Sequence, residues 1–240
     1  MDVTADEEIR QISVGKPHVV ILGAGASYAA FPQGDKHGRM LPLMNNLIET
    51  LGIEDIVAET GLCFESQNFE DIYACIHQDS GLIEIREELE RQVYRYFREM
   101  ELPAHPTIYD HLVLSLRDKD LIATFNWDPF LVQAIRRNSH RFKLPRVLFL
   151  HGNVEVGYCA EGHMMGNNGG SCSHCGSQLE PTQLLYPITQ KNYQLDQFIS
   201  RQWAMVADAL KHAFMVTIFG CTHSEVGMHC RANARLSAHR

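Results

Sequence analysis

Four apolar runs in this chain stop abruptly at residues that could do chemistry. Leu121 to Phe125 gives way to Asn126, Trp127 and Asp128, and Val147 to Leu150 gives way to His151, Gly152 and Asn153. His18 to Leu22 runs into Gly23-Ala24-Gly25-Ala26-Ser27, and Met215 to Phe219 into Gly220-Cys221-Thr222. An imidazole with an unperturbed pKa near ~6.5 can serve as a general base at neutral pH. An amide can orient a water or a sugar hydroxyl, and a Gly-rich turn with a carboxylate can hold pyrophosphate and ribose. Plainer uses exist for two of these motifs: a tight turn needs glycine whether or not anything binds, and Asp128 could simply cap the helix that starts at Pro129 and Phe130. Convergence is the stronger argument. If the four runs are parallel strands of one sheet, their ends meet at the edge where such sheets bind ligands, and the set suits chemistry on a dinucleotide.

A second cluster reads as a metal site. Cys159-x3-His163 followed by Cys172-x2-Cys175 offers two close pairs of ligands at the spacing of a tetrahedral structural zinc site. His174 could take the place of His163. Four protein ligands would close the ion to substrate, which assigns it to folding rather than catalysis. The chain has seven cysteines, an odd number that suits a reducing compartment and a metal better than a disulfide framework.

The elements that must position these residues follow from length and periodicity. At 240 residues and 45% hydrophobic content, the chain is expected to form one doubly wound, Rossmann-like α/β domain with a parallel sheet. Residues 17–39 and 118–240 form its core, 40–117 a helical insertion, and 154–181 a small zinc-binding module. Met40, Leu43, Met44, Leu47, Ile48 and Leu51 fall at helical spacing and read as a core stripe rather than a cofactor contact. Helical periodicity returns over Phe69 to Ile76, Leu89 to Met100, Pro129 to Asn138 and Asp196 to His212. Leu184 to Pro187 reads as a further short extended run, and Cys221 to Arg240 has little apolar period. The net charge of −8 argues against direct binding of nucleic acid. An acidic, polar N-terminus and the lack of any apolar run near ~20 residues lead to the expectation of a cytoplasmic protein with no membrane segment.

Gly23-Ala-Gly-Ala-Ser27, Thr124-Phe-Asn-Trp-Asp128 and Leu150-His-Gly152, in that order, resemble the sirtuin superfamily, whose members bind and cleave NAD. The resemblance covers residues 17 to about 220, and sirtuins likewise carry a zinc module just after the His-Gly motif. It implies that Asn126 and His151 are catalytic, Asn126 positioning the attacking group beside the nicotinamide ribose and His151 acting as general base. It also implies that Asp128 holds the nicotinamide end, that Gly23, Ala24, Gly25, Ala26 and Ser27 cradle the pyrophosphate, and that Gly220 and Thr222 meet the adenosine half. The chain departs from protein-deacetylating sirtuins where they carry Gly-Ile-Pro-Asp-Phe-Arg; here Ala29-Ala-Phe-Pro-Gln-Gly34 stands instead. In this it looks closer to divergent bacterial sirtuin-like proteins that hydrolyse NAD, often in antiphage defence. The leading expectation is an NAD glycohydrolase; an NAD-dependent deacylase and a module that senses NAD or ADP-ribose without turnover are the alternatives. Self-association, or a partner within a defence system, is a further expectation.

Overall fold

The computed structural model describes residues 4, 6–7, 15–186 and 196–221. β1 (His18–Leu22), β2 (Leu121–Thr124), β3 (Arg146–Phe149) and β7 (Met215–Phe219) form one sheet in the order β3-β2-β1-β7, and every neighbouring pair is parallel. The chain steps outward from β1 to β2 to β3, then returns to the far side of β1. That reversal puts the ends of β1 and β7 beside each other at a topological switch point.

Alternation along the strands sorts their side chains to two faces. Val20, Leu22, Ile122, Val147 and Phe149 point into the larger core, which is closed by α1 (Ala24–Ala30), by the helical insertion and by α7 (Phe130–Asn138). Val19, Leu121, Ala123 and Leu148 point the other way, onto α8 (Gln197–His212), where Val206 is buried among them. With helices on both faces the sheet is doubly wound. β7 is the exception, because all five of its residues are exposed.

The insertion holds α2 (Leu47–Leu51), α3 (Glu54–Ala58), α4 (Phe69–Gln78), α5 (Ile83–Arg98) and α6 (Ile108–Ser115). The expected helix over Met40 to Leu51 starts only at Leu47. Pro42 lacks an N–H and disfavours helical geometry at Leu41, and the Asn46 side chain accepts from Leu43 N, 2.7 Å, holding a turn there instead. Thr107 and Asp110 form a reciprocal capping box at the start of α6, and this fixes which face of that helix turns inward. Leu184 to Tyr186 is not a strand, and the Pro187 end of that expected run lies outside the described residues. This segment packs instead against the turn after β3, Leu185 N donating to His151 O at 3.0 Å.

The Gly-rich turn and the end of β7 are pressed together. Gly23 N donates to Phe219 O at 3.0 Å and Gly25 N to Gly220 O at 2.9 Å. Gly220 has φ +68, and a Cβ there would lie 2.0 Å from Ala26 N. Gly61 has nearly the same backbone, φ +67, with nothing within 4 Å of such a Cβ. Gly61→Ala should therefore lose only about 1 kcal/mol for its left-handed conformation. Gly220→Ala adds a backbone clash and should lose upward of about 3 kcal/mol. Thermal or denaturant unfolding of the two variants against the parent checks this, and equal losses would refute the close approach.

Candidate active site and metal centre

β2 stops because its last residue caps it. Thr124 Oγ1 accepts from Asn126 N at 3.0 Å, turning the chain so that Asn126, Trp127 and Asp128 leave the sheet plane. Asn153 then fastens that turn to the loop after β3: its Nδ2 donates to Asp128 O at 2.7 Å and to Asn126 O at 3.3 Å. Asn153 is held in turn by Thr182, whose Oγ1 accepts from Asn153 N and donates to Asn153 O. Gly152 permits the turn that brings His151 to the same place. Its φ is +76, and a Cβ would come within 2.1 Å of Gln183 O.

The strand-end side chains meet in a buried network. Ser27 Oγ donates to Asp128 Oδ2 at 2.7 Å and lies 2.6 Å from the Tyr109 hydroxyl. Asn126 Nδ2 donates to Ser27 Oγ at 2.8 Å. Asp128 also does what a cap would do, accepting from Phe130 N at 3.2 Å, so its structural and site roles fall on different oxygens. Burial pushes the Asp128 carboxyl up to about 6, only partly offset by the Ser27 and Phe130 hydrogen bonds. The Tyr109 phenol is raised, first by burial and then by the nearby Asp128 charge. Among the described residues, Asn126 Oδ1 and Trp127 Nε1 are buried here without a hydrogen-bond partner. Unsatisfied buried groups of this kind cost about 1–3 kcal/mol each, and such orphans call for an explanation.

A cavity of about 50 Å³ adjoins this network, lined among others by Ala24, Ser27, Asn126, Trp127, Asp128 and His151. Leu41, Pro42, Met44 and Leu47 of the insertion also line it. The Met and Leu stripe read as core thus supplies part of the cavity wall. His151 is buried and meets the ring of Phe125 edge-on, centroids 4.8 Å apart. A larger hollow of about 480 Å³ opens within the insertion, around Asn45, Glu49, Glu54 and Gln67, but none of the strand-end residues lines it.

The expected site residues therefore divide. Asn126, Asp128, His151, Ala24 and Ser27 come together around one cavity. The amides of Gly23 and Gly25 are bonded to Phe219 O and Gly220 O at the end of β7, and that of Ala26 to Gly23 O within its own turn. In this arrangement the Gly23 and Gly25 N–H groups and Gly220 serve close packing of two loops. Thr222 lies outside the described residues. The sequence gives no sign of Tyr109, and it places Trp127 and Asn153 at the ends of apolar runs without assigning either a role. Asn153 carried a usable signal, since it directly follows the His-Gly pair, whereas an aromatic residue in a helix reads as core.

Beyond β3 a small antiparallel sheet, β4 (Val156–Tyr158), β5 (Met165–Asn167) and β6 (Glu180–Pro181), is ordered β5-β4-β6. Its loops bring one ligand atom each from Cys159, His163, Cys172 and Cys175 within 4.8 Å of one another. Cys159 Sγ is 3.6 Å from both His163 Nδ1 and Cys175 Sγ. Ligands at Zn–S and Zn–N distances around a tetrahedral ion would stand roughly 3.5–3.8 Å apart, so the donor set fits zinc in both chemistry and spacing. His163 is the histidine in this group, and His174 lies beside it, ring centroids 4.2 Å apart. Hydrogen bonds from Ser177 bring the Cys175 thiol down to about 6, which favours the thiolate that a metal requires.

No family model and no curated relative matches the chain. Among solved structures, it is similar to a Sir2 homologue in complex with NAD, with a TM-score of 0.40 and 13% identity over 91% of this chain and 73% of that one. It is also similar to Sir2Tm bound to a propionylated peptide, with a TM-score of 0.35 and 16% identity over 89% of this chain and 73% of that one. A third is a serine-to-alanine variant of a Sir2 homologue with ADP-ribose, with a TM-score of 0.38 and 13% identity over 90% of this chain and 74% of that one. These are likenesses of backbone course, and the roles of side chains are argued from their own geometry.

Two outcomes are expected. Purified protein should contain one zinc per chain by atomic absorption, and Cys172→Ser should lose the metal and the order of the β4–β6 module. For Asp128 the folded carboxyl titrates near about 6 against an ordinary 3.8. Its contribution to stability is thus complete below pH 4 and lost as pH rises through 6. Asp128→Asn removes that dependence, so its stability relative to the parent should improve by up to about 3 kcal/mol between pH 4 and pH 7. Denaturant unfolding at the two pH values checks the sign.

Proposed function

We propose that this protein is an NAD glycohydrolase, cleaving NAD to nicotinamide and ADP-ribose, in the antiphage setting that its resemblance to divergent sirtuin-like proteins implies. The observation that carries the reading is the Asn126 amide oxygen, buried, without a hydrogen-bond partner among the described residues and next to a cavity that Asp128 and His151 also line. An acceptor so placed can take a hydrogen bond from one attacking water and aim its lone pair at the anomeric carbon of the nicotinamide ribose. Trp127 Nε1 is a buried donor in the same wall, suited to a carbonyl oxygen of the ligand.

The reaction balances with these groups alone. The water oxygen bonds to the anomeric carbon as the C–N glycosidic bond breaks. That electron pair goes to the pyridinium nitrogen, neutralising its charge, and the water proton passes to the His151 imidazole and then to solvent. The transition state is oxocarbenium-like, so rate comes from placement and from the Asp128 carboxylate near the developing positive charge. A closed ion at the Cys3His centre would take no part beyond holding the module after His151 in shape. The cavity of about 50 Å³ has room for the attacking water beside these groups.

Incubation of the protein with NAD, with products separated by liquid chromatography, tests the reading. Nicotinamide and free ADP-ribose should accumulate, and both Asn126→Ala and His151→Ala should reduce the rate by about 100-fold or more with the fold retained. An O-acyl ADP-ribose formed only with an acyl-lysine peptide would show a deacylase instead. NAD binding without turnover would show a sensor.

A further inference from the structure

The Ser27 hydroxyl has one hydrogen and two lone pairs, and the structure accounts for all three. Its hydrogen goes to Asp128 Oδ2 at 2.7 Å. One lone pair is taken by Asn126 Nδ2 at 2.8 Å. The other faces the Tyr109 oxygen at 2.6 Å, which must therefore be the donor, because Ser27 has no second hydrogen to give. Direction thus runs one way through the cluster, from Tyr109 to Ser27 to Asp128. With Ser27 acting as acceptor toward Asn126, the amide can present only its nitrogen on that side, which leaves Oδ1 on the other and accounts for its lack of a protein partner.

Tyr109 belongs to α6, on the insertion, 17 residues before Asn126. It is 3% exposed and its ring packs edge-on against Phe31, centroids 5.4 Å apart. We propose that Tyr109 is a positioning residue of this site: its hydroxyl, donated to Ser27 Oγ, sets the direction of the hydrogen bonds to Asp128 and from Asn126, and so holds the Asn126 amide oxygen toward the cavity. The insertion is then part of the catalytic arrangement rather than only a cover for it. Without the phenol, Ser27 keeps a vacant lone pair, its hydrogen bond to Asp128 loses the polarisation that an incoming donor supplies and weakens, and the Asn126 amide loses part of what fixes its orientation. The groups facing Asp128 are Ser27 and Tyr109 from the two helices, Asn126 on its own turn and His151 across the cavity; no Lys or Arg lines that cavity among the described residues.

Tyr109→Phe keeps the ring and removes only the hydroxyl, and circular dichroism and thermal unfolding establish that the fold is retained. The first readout needs no turnover. By carbon-13 NMR of the full-length protein, the Asp128 carboxyl should titrate about half a pH unit or more higher in Tyr109→Phe than in the parent. Ser27→Ala should raise it further, and the double variant should match Ser27→Ala alone, because Tyr109 acts through Ser27. An unchanged titration in Tyr109→Phe, or additive shifts in the double variant, would overturn the proposal. The second readout rests on the NAD reading: kcat should fall about 10- to 100-fold while KM for NAD stays within about threefold. A rise in KM alone would assign Tyr109 to ground-state binding and overturn its positioning role. Should the parent not consume NAD, the glycohydrolase reading fails, and the carboxyl titration still decides the role of Tyr109.

Discussion

A carboxylate buried with no cation beside it among the described residues is the constraint on which the rest of this site depends. Asp128 is 4% exposed, and its compensation consists of neutral donors, the Ser27 hydroxyl and the Phe130 amide. Neutral hydrogen bonds only partly replace lost hydration, which is why the carboxyl sits well above its usual range. Each donor must be held rigidly, because losing either leaves a charge in a poorly solvating cavity. Asn153 fastening the turn, the short α1 presenting Ser27 and α6 presenting Tyr109 all answer that requirement. A charge kept at such cost makes sense where positive charge develops in a reaction.

The same constraint links elements that are distant in the chain. β1 supplies Ser27 through the helix that follows it, β2 supplies Asn126 and Asp128, and β3 supplies His151. Parallel registers between β1, β2 and β3 bring the three ends level. The backbone of Gly23 to Ala26 is clamped against Gly220, so the position of Ser27 also depends on β7. A side-chain substitution at the clamp would therefore reach the network without touching it. The zinc-type centre follows His151 in the chain, and none of its four ligands lines the cavity beside the network. Its Cys and His ligands stabilise a module whose own buried apolar set is small, with Cys159, Cys172 and Leu179 at its centre.

Much of this was legible beforehand. Asn126, Asp128 and His151 could be picked out because apolar, β-branched runs that end in polar residues mark strand ends, and parallel sheets bind ligands there. The metal ligands were legible because thiol and imidazole spacing is itself the signal. The helix expected over Met40 to Leu51 was not found in full, because periodicity outweighed Pro42 in the reading while backbone sterics outweighed periodicity in the chain. Tyr109 was hidden because an aromatic residue in an amphipathic helix looks like core, and only the placement of α6 against α1 turns its hydroxyl toward Ser27.

The sequence by itself determined the four parallel strands, the residues at their ends and the three cysteines of the metal-type cluster, since these depend on local sterics, burial pattern and donor chemistry, while the choice of His163 over His174 came from the fold. Only the tertiary structure decided how the ends are used. It spent the amides of Gly23 and Gly25 on the end of β7, gave the insertion a wall of the cavity, and left Asn126 Oδ1 without a hydrogen-bond partner among the described residues. Those outcomes depend on which groups lie within about 3 Å of one another, and contacts between residues roughly a hundred positions apart in the chain are fixed by packing rather than by any neighbouring residue.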